Sequence, residues 1–153
     1  MSEHISVDIQ DKVQILRLNR PDRKNALSQA MYGALADAIQ NAESDGNIRC
    51  TLITGSEECF TAGNDLSDFA AGPVGEFESS PAGRVLFGLA SAETPVVAAV
   101  NGPAVGIGTT MLLHCDLVFA GNNTAFQMPF ANLGLCPEGG SSLLLPTWLG
   151  RVR

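Results

Sequence analysis

Residues 95–110, PVVAAVNGPAVGIGTT, lead from an apolar strand into a helix through a turn that is rich in glycine. Residues 95–100 form an apolar run typical of a buried strand, residues 101–103 predict a turn, and residues 106–108 predict a helix start. The first N–H groups of a helix lack partners and lie at the positive end of its dipole, so they can bind an oxyanion or a phosphate. Taken alone, such a segment is more often a tight turn than a binding site.

Strands and helices alternate on both sides of this stretch. Two paired strands are predicted within residues 7–18, and further strands at 50–54 and 116–120. Helical spacing of apolar residues predicts a helix from Ser28 to about Asp45, a short helix near Asp65, and another helix over 84–90. Residues 71–80 are rich in Gly, Pro, Ser and Glu and are expected to form a mobile loop. This alternation predicts an α/β fold.

The length and composition indicate one domain over residues 1–153 with enough apolar content, 45%, to bury a core. Charged residues make up 16% of the chain, against about a quarter in typical soluble domains. We therefore expect part of the apolar surface to be covered by another subunit or by further chain. The sequence ends at Arg151-Val152-Arg153, just after an apolar run, which leads us to expect a truncated chain.

The charge distribution disfavours nucleic acids and anionic membranes as partners, because the net charge is −7. Neither GxGxxG nor GxxxxGK(S/T) occurs, so a nucleotide-binding switch is also disfavoured. Arg17, Arg20, Arg23 and Lys24 nevertheless lie close together in the sequence. They could hold a phosphorylated ligand or could equally form a solvated strand end and loop.

Cysteines and termini give no sign of a metal, a disulfide framework or a membrane segment. The four cysteines show no CxxC pairing, and no His, Cys or Asp cluster has metal-ligand spacing, so no metal is expected. The N-terminus lacks the apolar region of a signal peptide, and no apolar run is long enough to span a membrane. The sequence predicts a soluble intracellular protein.

A second glycine-containing segment is CFTAGNDL, residues 59–66. It predicts a turn at Gly63 followed by a helix that Asp65 caps. Capping alone would explain Asp65. The functional alternative concerns the backbone, because N–H groups near Asn64 could face a cleft as anion donors.

The third segment is NLGLCPEGGSS, residues 132–142, in which Glu138 lies between Pro137 and Gly139. The simpler interpretation is a glutamate in the first turn of a helix, stabilised there by the helix dipole. The alternative is a partly buried carboxylate with a raised pKa that acts as a base. Taken alone, the segment favours the simpler interpretation.

In this order, together with NRPDRKNALS at residues 19–28, the three segments resemble the crotonase (enoyl-CoA hydratase/isomerase) superfamily. The resemblance implies a spiral of ββα units and an acyl-CoA thioester as substrate. It requires no separate cofactor, since coenzyme A is part of the substrate. It also implies a homotrimer or a dimer of trimers, built by a C-terminal helical region that this sequence lacks.

The resemblance assigns roles to residues of this chain by position. The backbone N–H groups of Asn64 and of Ile107, which follows Gly106, would form an oxyanion hole for the thioester. Lys24, Asn25 and Ala26 match the segment that contacts the nucleotide part of coenzyme A. The acyl-CoA-binding turn is matched by Ala62, Gly63, Asn64, Asp65 and Leu66.

Departures from the family pattern bear on the reaction. The two glutamates of the hydratases fall on Thr110 and Phe130, and neither can exchange a proton near neutral pH. Glu138 matches the single catalytic glutamate of peroxisomal-type Δ3,Δ2-enoyl-CoA isomerases. The sequence thus favours an isomerase, with a hydratase using an atypical base, an acyl-CoA hydrolase or a non-catalytic acyl-CoA-binding module as alternatives. We expect a cytoplasmic protein if it is bacterial; a peroxisomal location stays open, because its signal would lie beyond Arg153.

Overall fold

The computed structural model describes residues 2–69 and 76–151 and confirms the α/β prediction. Within this part of the chain the main-sheet strands are Ile5–Gln10 (β1), Val13–Leu18 (β2), Cys50–Thr54 (β3), Val96–Val100 (β4) and Leu117–Ala120 (β6). They lie in the order β1-β2-β3-β4-β6, with β1 antiparallel to β2 and the other neighbours parallel. Two short strands, Pro103–Val105 (β5) and Ala125–Gln127 (β7), pair in parallel as a separate two-stranded sheet. The sequence did not predict these two strands.

The helices of the described residues are Gln29–Ser44 (α1), Leu66–Phe69 (α2), Pro81–Ala90 (α3), Ile107–Thr110 (α4) and Ser141–Leu149 (α5). Short 3-10 turns lie at Pro21–Arg23, Phe77–Ser79, Met111–His114 and Ala131–Leu133. The Ser28 side chain caps α1 by accepting a hydrogen bond from the Met31 N–H. The apolar side of α1 packs against α3 and against strands β1, β2 and β3. The start of α1 lies beside the loop that follows β3, where the Leu27 N–H donates to the Gly63 carbonyl at 2.8 Å.

Two local predictions differ from the structure, and a third falls partly outside the described residues. The helix predicted from residue 84 begins at Pro81, because Ser80 accepts from the Gly83 N–H and proline fits the first helical turn. The helix that opens at Ile107 is a single turn, continued by the 3-10 turn to His114. Residues 71–75 of the predicted mobile loop lie outside the described residues, and Phe77–Ser79 is a 3-10 turn.

Apolar side chains on β6 face solvent. Leu117, Val118 and Phe119 are 57%, 38% and 63% exposed, whereas β4 beside them buries Val96, Ala98 and Val100 almost completely. Burial of such side chains stabilises a fold by about 25 cal/mol per Å² of apolar surface. β6 is therefore a sheet edge suited to further packing.

Candidate active site

The loop that contains FTAGND runs parallel to β5. The Thr61 N–H donates to the Pro103 carbonyl at 3.1 Å, and the Val105 N–H donates to the Thr61 carbonyl at 3.0 Å. These bonds pair Thr61 with Ala104 in a parallel bridge. Asn64 and Ile107 each lie three residues beyond this bridge, Asn64 on the loop and Ile107 at the first position of α4. The two predicted oxyanion donors, which are far apart in the sequence, therefore lie on neighbouring segments.

Gly63 allows this close approach. Its φ is +90°, and a Cβ at this position would lie 2.8 Å from the Val105 carbonyl oxygen. Any larger residue would thus combine an unfavourable backbone conformation with a clash. The glycine brings the Asn64 peptide close to the peptide between Val105 and Gly106.

The two amides have no protein acceptor among the described residues. Across residues 2–69 and 76–151, no hydrogen bond uses the N–H of Asn64 or of Ile107 as its donor. Their neighbours are engaged: the Asp65 N–H donates to the Leu27 carbonyl at 2.9 Å, and the Gly106 N–H donates to the Gln127 carbonyl at 2.8 Å. Ile107 is also the first residue of α4, where N–H groups and the helix dipole favour an anion. The arrangement can bind an oxygen that develops negative charge.

The Glu138 side chain is hydrogen-bonded to the same helical segment. The Thr110 hydroxyl, three residues after Ile107, donates to Glu138 Oε1 at 2.5 Å. Nε2 of His114 lies 2.9 Å from the Gly139 carbonyl oxygen. The interpretation of Glu138 as a first-turn glutamate is wrong, because α5 begins three residues later at Ser141. Its side chain is held by Thr110 instead.

Burial raises the pKa of the Glu138 carboxyl above its usual value, and the hydrogen bond from Thr110 and the charge of His114 partly oppose this increase. A carboxylate with a raised pKa is a stronger base, because it gains more free energy on taking up a proton. The site thus combines a basic carboxylate with two amides that donate to no acceptor in the described part of the chain.

Tyr32 belongs to this site and was missed by sequence reasoning. Its hydroxyl donates to Oδ1 of Asn64, and the side chain is only 1% exposed. Burial raises the pKa of the Tyr32 phenol, and the negative charge of Glu138 raises it further. The sequence signal that could have identified Tyr32 is the helical spacing of α1, which puts this tyrosine on the buried side. A buried tyrosine hydroxyl needs a hydrogen-bond acceptor.

The segment at residues 24–26 lies next to the site, and its members differ in accessibility. Asn25 is fully buried: its side-chain amide donates to the Cys59 and Phe60 carbonyls at 2.9 and 3.2 Å, and its Oδ1 accepts from the Arg20 N–H at 2.7 Å. The Asn25 side chain thus links two loops of the protein. Lys24 is exposed and Ala26 is half-buried, so their side chains are accessible, whereas that of Asn25 is not.

The turn at residues 62–66 is tied to the same loop. The Ala62 N–H donates to the Lys24 carbonyl at 2.9 Å, and Leu66 is 71% exposed. Asp65 caps α2 by accepting from the Ser67 N–H at 3.0 Å, as predicted, and it also pairs with Arg20 at 2.6 Å. These bonds from Ser67 and Arg20 lower the pKa of Asp65 to about 2. Arg20 is therefore an internal cross-link, so it is not part of a free basic patch.

The described residues provide neither a cluster of metal ligands nor a membrane-spanning helix. They contain no group of three or more His, Cys, Asp or Glu side chains placed to hold a metal ion. None of the helices described is long and apolar enough to cross a membrane.

Comparison with known proteins identifies the family of this chain. The family model for Enoyl-CoA hydratase/isomerase matches residues 8–153. The chain is 38% identical to 1,2-epoxyphenylacetyl-CoA isomerase of Escherichia coli K12, aligning over 100% of this chain and 61% of that protein. It is 34% identical to enoyl-CoA delta isomerase 2 of Rattus norvegicus, over 99% of this chain and 40% of that protein. This chain thus spans less than two thirds of either relative.

Solved structures agree on the fold. OdaA of Pseudomonas aeruginosa superposes with a TM-score of 0.93 at 54% identity, over 98% of this chain and 60% of that one. The chain belongs to the enoyl-CoA hydratase/isomerase family and has the crotonase fold.

Proposed function

We propose that this chain carries the active site of an isomerase that converts 3-enoyl-CoA to trans-2-enoyl-CoA in the breakdown of fatty acids or related acyl-CoA compounds. The observation that supports it most is the hydrogen bond from Thr110 to Glu138. It fixes one basic carboxylate to the helical turn that begins at Ile107, and this turn follows the strand that pairs with the loop of Asn64. The similarity to a protein named enoyl-CoA delta isomerase 2 is consistent with this choice.

The proposed reaction is a proton shift between two carbons. The Glu138 carboxylate removes a proton from C2 of the 3-enoyl thioester, and the electron pair moves onto the thioester oxygen as a dienolate. The amides of Asn64 and Ile107 stabilise this oxygen more than they stabilise the neutral carbonyl. The protonated Glu138 then returns the proton to C4, so that one residue serves as base and then as acid.

The rate enhancements expected from the oxyanion hole and from the general base are of comparable size. One oxyanion donor is typically worth about 10²–10³-fold in kcat, and a general base about 10²–10⁴-fold. Hydration would require another proton-transferring group to deliver water. The positions of the hydratase glutamates hold Thr110 and the buried Phe130, which do not titrate. A lone carboxylate is sufficient for a 1,3-proton shift, so isomerisation is favoured over hydration.

The test is Glu138→Gln in the complete protein, assayed separately with 3-enoyl-CoA and 2-enoyl-CoA. We expect isomerisation to fall by about 10²–10⁴-fold, while affinity for the thioester is retained because the amides are unchanged. Glu57→Gln, which removes an exposed carboxylate from another loop, is the matched control and should keep full activity.

Three outcomes would contradict the proposal. Undiminished isomerisation by Glu138→Gln would exclude Glu138 as the base. Addition of water to 2-enoyl-CoA without isomerisation would favour a hydratase. Binding of acyl-CoA without turnover by the unaltered protein would favour a non-catalytic binding module.

We also propose that the working protein is a homotrimer or a dimer of trimers and needs no group besides the coenzyme A of its substrate. The exposed apolar side chains of β6 support association. A bacterial cytoplasm or a peroxisome remains the predicted compartment.

A further inference from the structure

Tyr32 is the single tyrosine of the chain. Its side chain is the largest of the fully buried side chains in the described residues. It lies in the first turns of α1, on the side that packs against the core. A buried phenol requires an acceptor for its proton. That acceptor is the side chain of Asn64, 32 positions further along the chain.

Three hydrogen bonds hold the Asn64 side chain and the two peptide groups that flank Asn64. The Leu27 N–H donates to the Gly63 carbonyl at 2.8 Å, and the Asp65 N–H donates to the Leu27 carbonyl at 2.9 Å. These bonds fix the peptides before and after Asn64. The bond from Tyr32 is the one that holds its side chain. Together they set the direction of the Asn64 N–H, which itself has no acceptor within the described residues.

Tyr32 also lies within electrostatic reach of the base. Burial and the charge of Glu138 both raise the pKa of the phenol. The hydroxyl therefore keeps its proton and remains a donor to Asn64 while the carboxylate is charged. Tyr32 is thus close to both halves of the site, the amide donor and the base.

We propose that Tyr32 is a positioning residue of the active site, whose hydroxyl holds Asn64 so that the Asn64 N–H meets the thioester oxygen. The inference rests on the proposed function in one respect, namely that this oxygen gains charge during the reaction. A role in packing alone would need the aromatic ring but would not need the hydroxyl. The two roles are separated by Tyr32→Phe, which keeps the ring.

The first measurement is steady-state kinetics of the complete protein with 3-enoyl-CoA. Losing a donor outright costs roughly 10²–10³-fold, and a displaced donor should cost less, so we expect kcat of Tyr32→Phe to fall about ten-fold with KM unchanged. Asn64→Ala removes the same bond from its other end and should lower kcat similarly. Because the two residues act through one bond, the double variant should be no slower than either single variant.

The matched control is Thr51→Val. Thr51 is also buried, and its hydroxyl accepts from the Gln14 side chain at 3.3 Å inside the sheet. It should lose stability without losing kcat. If Tyr32→Phe behaves like this control, the hydroxyl has only a structural role.

The second measurement does not depend on turnover. The infrared carbonyl stretch of a saturated acyl-CoA, labelled with ¹³C at the thioester, should move to lower wavenumber on binding to the unaltered protein. This movement should be smaller with Tyr32→Phe and with Asn64→Ala. A carbonyl shift without isomerisation of 3-enoyl-CoA would refute the proposed function while still testing Tyr32.

Two results would overturn the inference. One is an equal carbonyl shift and equal kcat in the unaltered protein and in Tyr32→Phe. The other is the absence of any carbonyl shift in the unaltered protein. Should Tyr32→Phe fail to fold, Asn64→Ala decides the question, since its side chain is exposed.

Discussion

Glu138 shows how neighbours adjust a single carboxylate. Burial raises its pKa, whereas the Thr110 hydroxyl and the charge of His114 lower it. The hydroxyl contact stabilises the charged form, because a hydroxyl donor pairs better with a carboxylate than with a carboxylic acid. Thr110 therefore restrains the pKa of the proposed base as well as its position.

Thr110→Val tests this effect on the pKa. Valine keeps the shape of the side chain but cannot donate, so the pKa of Glu138 should rise further. A base works only when deprotonated, and its activity falls as the pH drops through its pKa. The acid limb of the pH profile of kcat/KM should therefore move to higher pH.

Thr109→Val is the control for this prediction. Its hydroxyl donates to the Ala104 carbonyl at 2.6 Å and does not contact Glu138. It should leave the acid limb where it is, even if the protein becomes less stable. An unmoved limb in Thr110→Val would show that Thr110 does not influence the proton affinity of the base.

The segment from β5 into α4 and the loop before α2 are paired into one structural unit. Neither contributes a charged group to the proposed oxyanion hole; each contributes one backbone amide. Their spacing is set by the parallel pairing of Thr61 with Ala104 and by the close contact of Gly63 with Val105. Activity should therefore depend on how closely the two segments approach.

Gly63→Ala tests that dependence. The new Cβ would lie 2.8 Å from the Val105 carbonyl oxygen at a φ of +90°. Non-glycine residues in such conformations cost on the order of 1–3 kcal/mol, so both the free energy of unfolding and kcat should fall. Chemical denaturation and the isomerase assay measure these two effects.

Gly46→Ala provides the comparison. A Cβ there meets no atom within 4 Å, and its φ lies outside the positive range. It should change neither stability nor rate appreciably. If Gly63→Ala were equally harmless, the close approach of the two segments would not be needed.

Across the molecule, the burial of apolar side chains is uneven. The apolar core joins α1, α3 and the inner strands, whereas β6 and much of α5 leave large apolar side chains in solvent. Large contiguous apolar surfaces usually mark sites of association or further packing. The relatives are also longer than this chain, which spans 61% and 40% of two of them.

The proposed association is tested by light scattering on the complete protein after size-exclusion chromatography. We expect a mass three or six times that of one chain, unchanged by dilution into the working range of the assay. A mass equal to one chain would refute the proposed trimer and leave the active-site proposals intact.

Much of the site could be predicted from the chain itself. The glycines at 63 and 106, the start of α4 at Ile107 and the capping role of Asp65 follow from local backbone preferences. Glu138 was identified as a candidate base, but its local segment alone favoured a role at a helix start. That interpretation failed because a contact from Thr110, 28 positions away, holds the carboxylate.

The sequence by itself determined the alternation of strands and helices, the α1 helix and the two turns that present amides. The tertiary structure decided which of these meet: the loop of Thr61 beside Ala104, Thr110 on Glu138, and Tyr32 on Asn64. The physical reason is the range of each interaction. Dihedral preferences and apolar spacing act over a few residues, whereas strand register and buried hydrogen bonds are fixed only when distant segments pack together.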